Sequence, residues 1–464
     1  MGGEQVVARG TFGGAEAARR GRCGLAPFAA LVTLITAAVW AGPTQALPSF
    51  AQQTGQPCAQ CHVGAFGPQL KPYGRDFKLF GYVSNDGKST LPPIAAVATA
   101  SYTRTEHDRT PVPGYNANDN WAFQSLILAY AGQVAGGVGA FAETVYDGVH
   151  DNWTIGNVDI RRAFNPTVGG KDVVLGLDLN DKPTVQDLWN STPAFEFNTA
   201  SSAFGVSPQV GPLVDGKLGG RAVGVGAYGL YDEFLYGEFT AYSPLSNGFV
   251  GQRLGLNTPP TADVYSGVAP YWRVALQHSF HDRHYFEIGA YGLQASRFPG
   301  GSQQGGEDTL NDAALDATYQ YIGGKKSFVT AHATLIHEDD DLTASHIILH
   351  SRPVDHLDVA RADVVWSYDD TWTPAAEVFE TTGSTDKPFF KTPTGSPDSR
   401  GYVVELSYTP WGKSRSVVWA NTRFTVRFVG YTEFNGRAAG ASANDTLYFS
   451  TRVALAPLGA LAGH

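Results

Sequence analysis

From Pro93 to Pro457 the chain is written in short segments of alternating polarity, interrupted by glycine, proline, asparagine and aspartate. That pattern constrains the fold more than any other feature. Val173 to Asn180 sends Asp178 and Asn180 to one side and its leucines to the other. Ser327 to Thr334 alternates in the same way. Leu357 to Tyr368 sets Arg361 and Asp363 against Ala362, Val364 and Trp366, and Thr422 to Val429 sets Arg423, Thr425 and Arg427 against Phe424, Val426 and Phe428. A period of two is the period of a β-strand, whose successive side chains point to opposite faces.

Alternation by itself fits a soluble sandwich as well as a membrane barrel. The spacing of the interruptions favours the barrel. Short connections at Gln133 to Gly137, Asp232-Glu233, His281 to His284 and Gly323 to Lys326 interleave with long ones at Thr105 to Asp119, Asp181 to Lys217 and Ser243 to Ala269. Short turns on one side and long loops on the other are the asymmetry of an outer-membrane barrel. Terminal tyrosines and tryptophans suit an interfacial girdle. The pattern yields about seventeen candidate strands, and bacterial barrels are even-numbered. Parity breaks between His337 and Ser399, where the long stretch Gly383 to Ser399 falls on the wrong side, so the expectation is sixteen. The fold class is thus all-β, a transmembrane antiparallel β-barrel of about sixteen strands over residues 91–464. A lumen of that size has room for a plug.

The start of the chain reads differently. Arg19, Arg20 and Arg22 precede an apolar run from Leu25 to Trp40, and Thr44-Gln45-Ala46 places small residues at a cleavage position. At roughly fifteen residues the run is short for a membrane helix. Residues 1–46 are therefore expected to be an export signal. Cys23 and Met1 would leave with it, and the mature chain would begin near Leu47 without methionine.

Cys58-Ala59-Gln60-Cys61-His62 follows within residues 47–90. C-x-x-C-H is the signature of c-type haem attachment. Two thiols at this spacing reach the two vinyl groups on one edge of the porphyrin, and the adjacent histidine lies under the ring to ligate the iron. A redox disulfide would need a βαβ setting that is missing here, and a zinc site would need a second cysteine pair. The cofactor-binding residues are thus Cys58, Cys61 and His62, with His62 as the metal ligand. With Met1 lost, methionine is excluded as the sixth ligand; another histidine, another side chain or an open position remain. Downstream, Phe66, Leu70, Tyr73, Phe77 and Phe80 recur three or four apart, as on one helical face able to cover a haem edge. Arg75 and Lys78 are candidates to neutralise haem propionates. A segment this short cannot bury haem alone and needs walls from elsewhere.

The run from Pro48 through Tyr82, with Gly67-Pro68-Gln69-Leu70 and Tyr73-Gly74-Arg75-Asp76-Phe77-Lys78-Leu79, resembles the fused outer-membrane cytochrome–porins. The best-known of these are iron oxidases of iron-oxidising bacteria. Weaker matches look like Asn180 with Pro183 to Asn190, Gly395 to Tyr402, Glu433 to Gly436, and Asp445 to Tyr448. The resemblance implies one covalent haem c, bound by Cys58 and Cys61 and ligated by His62. It implies a porin-like barrel in the outer membrane. It also implies iron:cytochrome oxidoreductase activity, from an extracellular reductant such as Fe(II) to a periplasmic carrier such as a soluble cytochrome. The tail from Leu455 to His464 departs from it, lacking the terminal aromatic common in such barrels.

Other readings stand beside this one. The chain could be a transport porin whose haem senses or regulates, or a peroxidase-like haem enzyme, although no distal acid–base constellation is evident. The net charge of −10 and the lack of a basic stretch argue against nucleic acid as partner. Glu338-Asp339-Asp340-Asp341 beside His337 reads as an acidic turn able to attract cations such as Fe²⁺. The Pro183 to Asn190 run lies in the long third loop, where it could fold inward to line the pore or serve loop architecture alone.

Overall fold

The computed structural model describes residues 47–87, 91–195, 202–246, 263–324, 326–414 and 419–457. The expected export signal lies outside the described residues, as does the end of the chain beyond Pro457.

Sixteen long strands make one closed antiparallel sheet. The first eight are β1 Ile94–Thr105, β2 Asn120–Ala135, β3 Val138–Asp147, β4 Asn152–Phe164, β5 Lys171–Asn180, β6 Ala222–Tyr231, β7 Leu235–Pro244 and β8 Ala269–Phe280. The rest are β9 His284–Phe298, β10 Asp308–Gly323, β11 Ser327–Asp341, β12 Val354–Tyr368, β13 Trp372–Gly383, β14 Ser399–Tyr408, β15 Ala420–Glu433 and β16 Thr446–Leu455. Each pairs with the next, and β1 pairs back onto β16 from Ala96↔Leu455 to Thr105↔Thr446. Closure leaves no edge whose backbone groups would face lipid unsatisfied. The expected number holds. Two short strands, Thr167–Val168 and Val264–Ser266, only extend connections.

The faces are inverted relative to a soluble protein. On β5, Leu175, Leu177 and Leu179 are exposed on the outside, Leu177 by 58%, while Asp178 and Asn180 are buried inside. The same holds round the wall, with Val225, Phe239, Ile288, Leu315, Leu335, Val378 and Val404 outward and exposed. In water this surface would be costly; in a bilayer it is the favourable face. Aromatic side chains ring both ends. Trp121 and Tyr102 pack together at one end, Tyr146 and Trp153 beside them, and Trp372 packs on Tyr408 at the other. These girdles and the apolar band between them place the barrel in the outer membrane. The end carrying the β2–β3, β6–β7, β8–β9 and β10–β11 turns, together with both ends of the strand sequence, is the periplasmic one.

Two sequence expectations change. Glu338 to Asp341 is no turn; it is the last stretch of β11, and its four carboxylates alternate between the faces. Glu338 and Asp340 are buried in the lumen, while Asp339 and His337 are exposed outside, where His337 bonds Asp358 at 2.7 Å. Reading this stretch as a turn is what broke strand parity, since Gly383 to Ser399 connects β13 to β14 on the long-loop side. The apolar positions from Phe66 to Phe80 also do not share one helical face, because the helix α3 (Pro72–Leu79) begins only after Phe66 and Leu70.

The lumen is filled from both ends. From the periplasmic end, α1 Pro48–Thr54, α2 Cys58–Cys61 and α3 pack within the mouth. From the other end, residues 181–195 fold inward, burying Val185, Leu188 and Trp189. Residues 202–221 also enter. There Leu213, Val214 and Leu218 join an apolar cluster with Tyr242, Tyr271, Tyr291, Ile336 and Leu357 from the wall. Wall carboxylates of Glu338 and Asp312 accept the backbone N–H groups of Leu213 and Val214, and Arg361 pairs with Asp215 at 2.7 Å.

Candidate functional site

Cys58, Cys61 and His62 all line one cavity of about 310 Å³ in the periplasmic half of the lumen. Its floor is the segment itself: Phe50, Phe66, Leu70 and Phe77 line it. Its wall is β1 to β4 and β16, through Val97, Ser125, Phe141, Asn157 and Arg452. Its roof includes Asn190 and Phe195 of the inward loop. The lining is mostly apolar with a few polar groups, as in pockets that hold a cofactor.

Local sequence explains how the motif is presented. Pro57 is extended and caps α2, and the His62 N–H bonds back to the Cys58 carbonyl at 2.8 Å, closing the single turn that brings Cys58 and Cys61 to one side. The chain then folds back, Val63 N–H bonding Gln69 O at 3.0 Å and Lys71 N–H bonding Cys61 O at 2.8 Å. Gly74 makes this approach possible, since a Cβ there would stand 2.5 Å from the Cys61 carbonyl oxygen. Asn421 on β15 donates to Ala65 O at 2.9 Å, and the Lys71 ammonium bonds Ala59 O and the Asp370 carboxylate.

Burial sets the ionisation of the motif. It pushes the Cys61 thiol up to about 12 against the pull of Lys71, and raises Cys58 well above the ordinary thiol range. Both are therefore neutral, and a neutral thioether would suit the same surroundings. Burial lowers His62 to about 4, partly offset by the Gly67 backbone. The ring is neutral at physiological pH, the form that ligates metals. Its Nδ1 is buried without a hydrogen-bond partner among the described residues. An orphaned imidazole nitrogen and two neutral thiols on one apolar cavity fit haem c. Among the described residues no other histidine lines this cavity, and no group of three or more His, Cys, Asp or Glu is arranged to hold a metal ion.

The cationic residues of α3 are placed otherwise than expected. Arg75 does not line the cavity. It bonds Gln320 of β10 and the Leu70 carbonyl, and its guanidinium lies over the Trp189 ring. Lys78 does border the cavity, but its ammonium is taken by Val185 O at 2.7 Å, Asp187 O at 2.6 Å and Asn190 Oδ1 at 2.6 Å. Burial and the nearby Arg161 charge draw it down to about 7, against Asp159, Asp187 and Glu238. Both residues tie α3 to the inward loop. Of the apolar positions, Phe66, Leu70 and Phe77 face the cavity, whereas Tyr73 borders a separate pocket with Lys71 and Phe328, and Phe80 packs towards Tyr228 and Trp189.

The inward loop is built round Asp187. Its carboxylate accepts from the backbone N–H groups of Trp189, Ser191 and Thr192 at 2.8 to 3.2 Å. Arg273 of β8 stands 3.8 Å away, itself paired with Asp316 and Glu287. Asn190 Nδ2 donates to Pro68 O at 2.7 Å, and Arg161 donates to Gln186 O at 2.7 Å. The Tyr82 hydroxyl donates to Asp159 at 2.6 Å and ends the segment against β4.

The wall residues Phe141, Glu143, Asn157 and Arg452 had no signal in the sequence beyond their inward parity. Arg452 joins the other three because β16 closes on β1.

No protein-family model matches the chain, and no curated protein matches its sequence. Among solved structures it is similar to OprB of Pseudomonas putida, with 10% identity over 78% of this chain and 93% of that chain and a TM-score of 0.48. It is also similar to an anion-selective porin from Comamonas acidovorans, with 12% identity, 78% and 98% coverage and a TM-score of 0.42. A further likeness is to the channel DcaP of Acinetobacter baumannii, with 9% identity, 78% and 96% coverage and a TM-score of 0.41. The chain is a sixteen-stranded β-barrel of the bacterial outer membrane, with its lumen occupied by its own N-terminal segment and loops.

Proposed function

We propose that this barrel transfers electrons through one covalent haem c, bound by Cys58 and Cys61 and ligated by His62. The donor is an extracellular reductant such as Fe(II), and the acceptor a periplasmic carrier such as a soluble cytochrome. The observation that carries this reading is the convergence of the three motif side chains on one cavity, completed by barrel wall. Haem bound there supplies one-electron chemistry. The chain's residues do the rest. The wall supplies the burial that a short segment lacks. Phe66, Leu70, Phe77 and Phe141 exclude water and lower the local dielectric, which tunes a potential. An apolar band about 25 Å tall separates donor from acceptor, and a cavity inside the lumen shortens that gap more than one hanging below the barrel.

In a second reading the barrel is a transport porin and the haem senses or regulates. The porin-like architecture and the charged lining favour it. The ties of Lys78 and Arg75 to the inward loop oppose it, because they join the two halves of the lumen filling.

The test is the visible spectrum of the purified, oxidised full-length protein as Fe(II) is added, with dithionite as control. A reduced c-type α-band on adding Fe(II) supports the whole reading. Reduction by dithionite alone removes iron as donor and keeps the haem. Lack of covalent haem removes the electron-transfer reading, and steady ion flux through single barrels moves the assignment to a porin.

A further inference from the structure

One stretch of wall beside the cavity is rich in arginine. Arg423 and Arg427 on β15 and Arg452 on β16 all face the lumen, and the carboxylate between them is that of Glu405 on β14. Glu405 is already committed. It accepts from Arg427 Nε at 2.7 Å and from Arg423 Nη2 at 3.3 Å. Arg423 also donates to the Phe66 carbonyl at 2.7 Å. Arg452 stands opposite Arg423 across the β15–β16 pair and opposite Thr99 across the closure. It makes no hydrogen bond or ion pair with any described residue, and it lines the cavity that Cys58, Cys61 and His62 share. Its guanidinium is exposed to the cavity, free to pair with an anion that enters.

Position says what would arrive. Ala454 packs in the same small cluster as Cys58. Arg452 lies two residues back along β16 on the same face, about 7 Å deeper into the lumen at the rise of a strand. Thioether bonds at Cys58 and Cys61 hold the vinyl edge of a haem, and its two carboxylates leave from the other side of the ring. Arginine is the side chain whose planar fork matches a carboxylate in two parallel hydrogen bonds. Thr99 and Ser125 border the same part of the cavity with hydroxyl donors.

We propose that Arg452 is the carboxylate clamp of the site, pairing with a haem propionate in place of the Arg75 and Lys78 that the sequence suggests. This rests on the reading that haem c is bound at Cys58 and Cys61. A carboxylate left without its cation favours the more positive, oxidised iron, so the clamp raises the reduction potential. It also holds the propionate ionised, with Lys78 and Glu143 the other charged side chains that line the cavity.

The experiment uses full-length protein in detergent, wild type beside Arg452→Gln and Arg452→Lys. Covalent haem is counted from the alkaline pyridine spectrum, and the midpoint potential is measured across a pH series. Arg452→Gln is expected to keep its covalent haem, show a lower potential, and move the redox-linked proton uptake to higher pH. Arg452→Lys, which restores the charge without the fork, is expected to fall between. Curves for Arg452→Gln that superimpose on wild type, with haem retained, overturn the clamp alone. If Arg452→Gln does not assemble, Arg452→Lys carries the comparison: a shift in its curve supports the clamp and superposition on wild type overturns it. Wild-type protein without covalent haem overturns the underlying reading and the clamp with it.

Discussion

The guanidinium of Arg75 lies 3.7 Å from the centre of the Trp189 ring. One residue belongs to α3, which enters from the periplasmic end; the other belongs to the loop that enters from the opposite end. Both are buried, and the Trp189 indole also donates to Gln277 of β8 at 2.9 Å. A desolvated cation–π contact of this kind contributes about 2 kcal/mol. With the three bonds of Lys78, it makes a septum of two chain segments that are separate in sequence.

Trp189→Ala is therefore expected to open the septum. The buried indole accounts for about 3–5 kcal/mol in a packed site. Wild-type barrels in planar bilayers should show low conductance, and the variant should show larger steps. Lys78→Met should act in the same direction, because it leaves the Val185 and Asp187 carbonyls without their donor. Equal conductance in all three would show that the septum does not govern flow.

Asp187 staples the inward loop, and Asp187→Asn should loosen it by about 3–5 kcal/mol, the cost of removing one partner from a buried charge pair. Burial alone would raise this carboxyl; Arg273, then Lys78 and the Ser191 and Trp189 N–H groups, hold it below the ordinary carboxylate range. A lowered folded value means that the contribution is present above the ordinary carboxylate value and is lost as pH falls through the folded one. Protease cleavage within residues 181–195 should therefore begin only below the usual carboxylate range in wild type, and near neutrality in Asp187→Asn.

The outer face gives a prediction independent of the proposed cofactor. Leu177→Arg puts a charge near the middle of β5 on the lipid side. It should cost about 2–4 kcal/mol at the bilayer midplane. Denaturant titration in lipid vesicles, read by the electrophoretic shift of the folded barrel, measures it. An unchanged midpoint would mean that Leu177 does not face lipid.

The two thiols should be separable. Cys58→Ala and Cys61→Ala should each keep a haem joined by one thioether, visible as an α-band shifted to longer wavelength in the alkaline pyridine spectrum. The double variant should lose haem staining in denaturing gels. Staining that survives the double change would place the attachment elsewhere.

Strand number and face assignment were legible because a period of two leaves its mark in every segment. Val173 to Asn180 and Leu357 to Tyr368 lie as read. Reading failed where composition imitated a turn. Glu338 to Asp341 looked solvated, yet a barrel with a polar lumen and aromatic rims tolerates carboxylates on both faces at a strand end. Arg75 and Lys78 are candidates for the motif because they are near it in sequence. In space the inward loop supplies Lys78 with acceptors and Arg75 with a tryptophan face.

The sequence by itself determined the barrel and the C-x-x-C-H motif, since each is a local pattern: polarity at spacing two, thiols at spacing three. Only the tertiary structure decided which walls face the motif. Thr99 and Arg452 lie at opposite ends of the chain and become neighbours through the pairing of β1 with β16. Such a register follows from the collective fit of sixteen strands, and no stretch of residues near the motif encodes it.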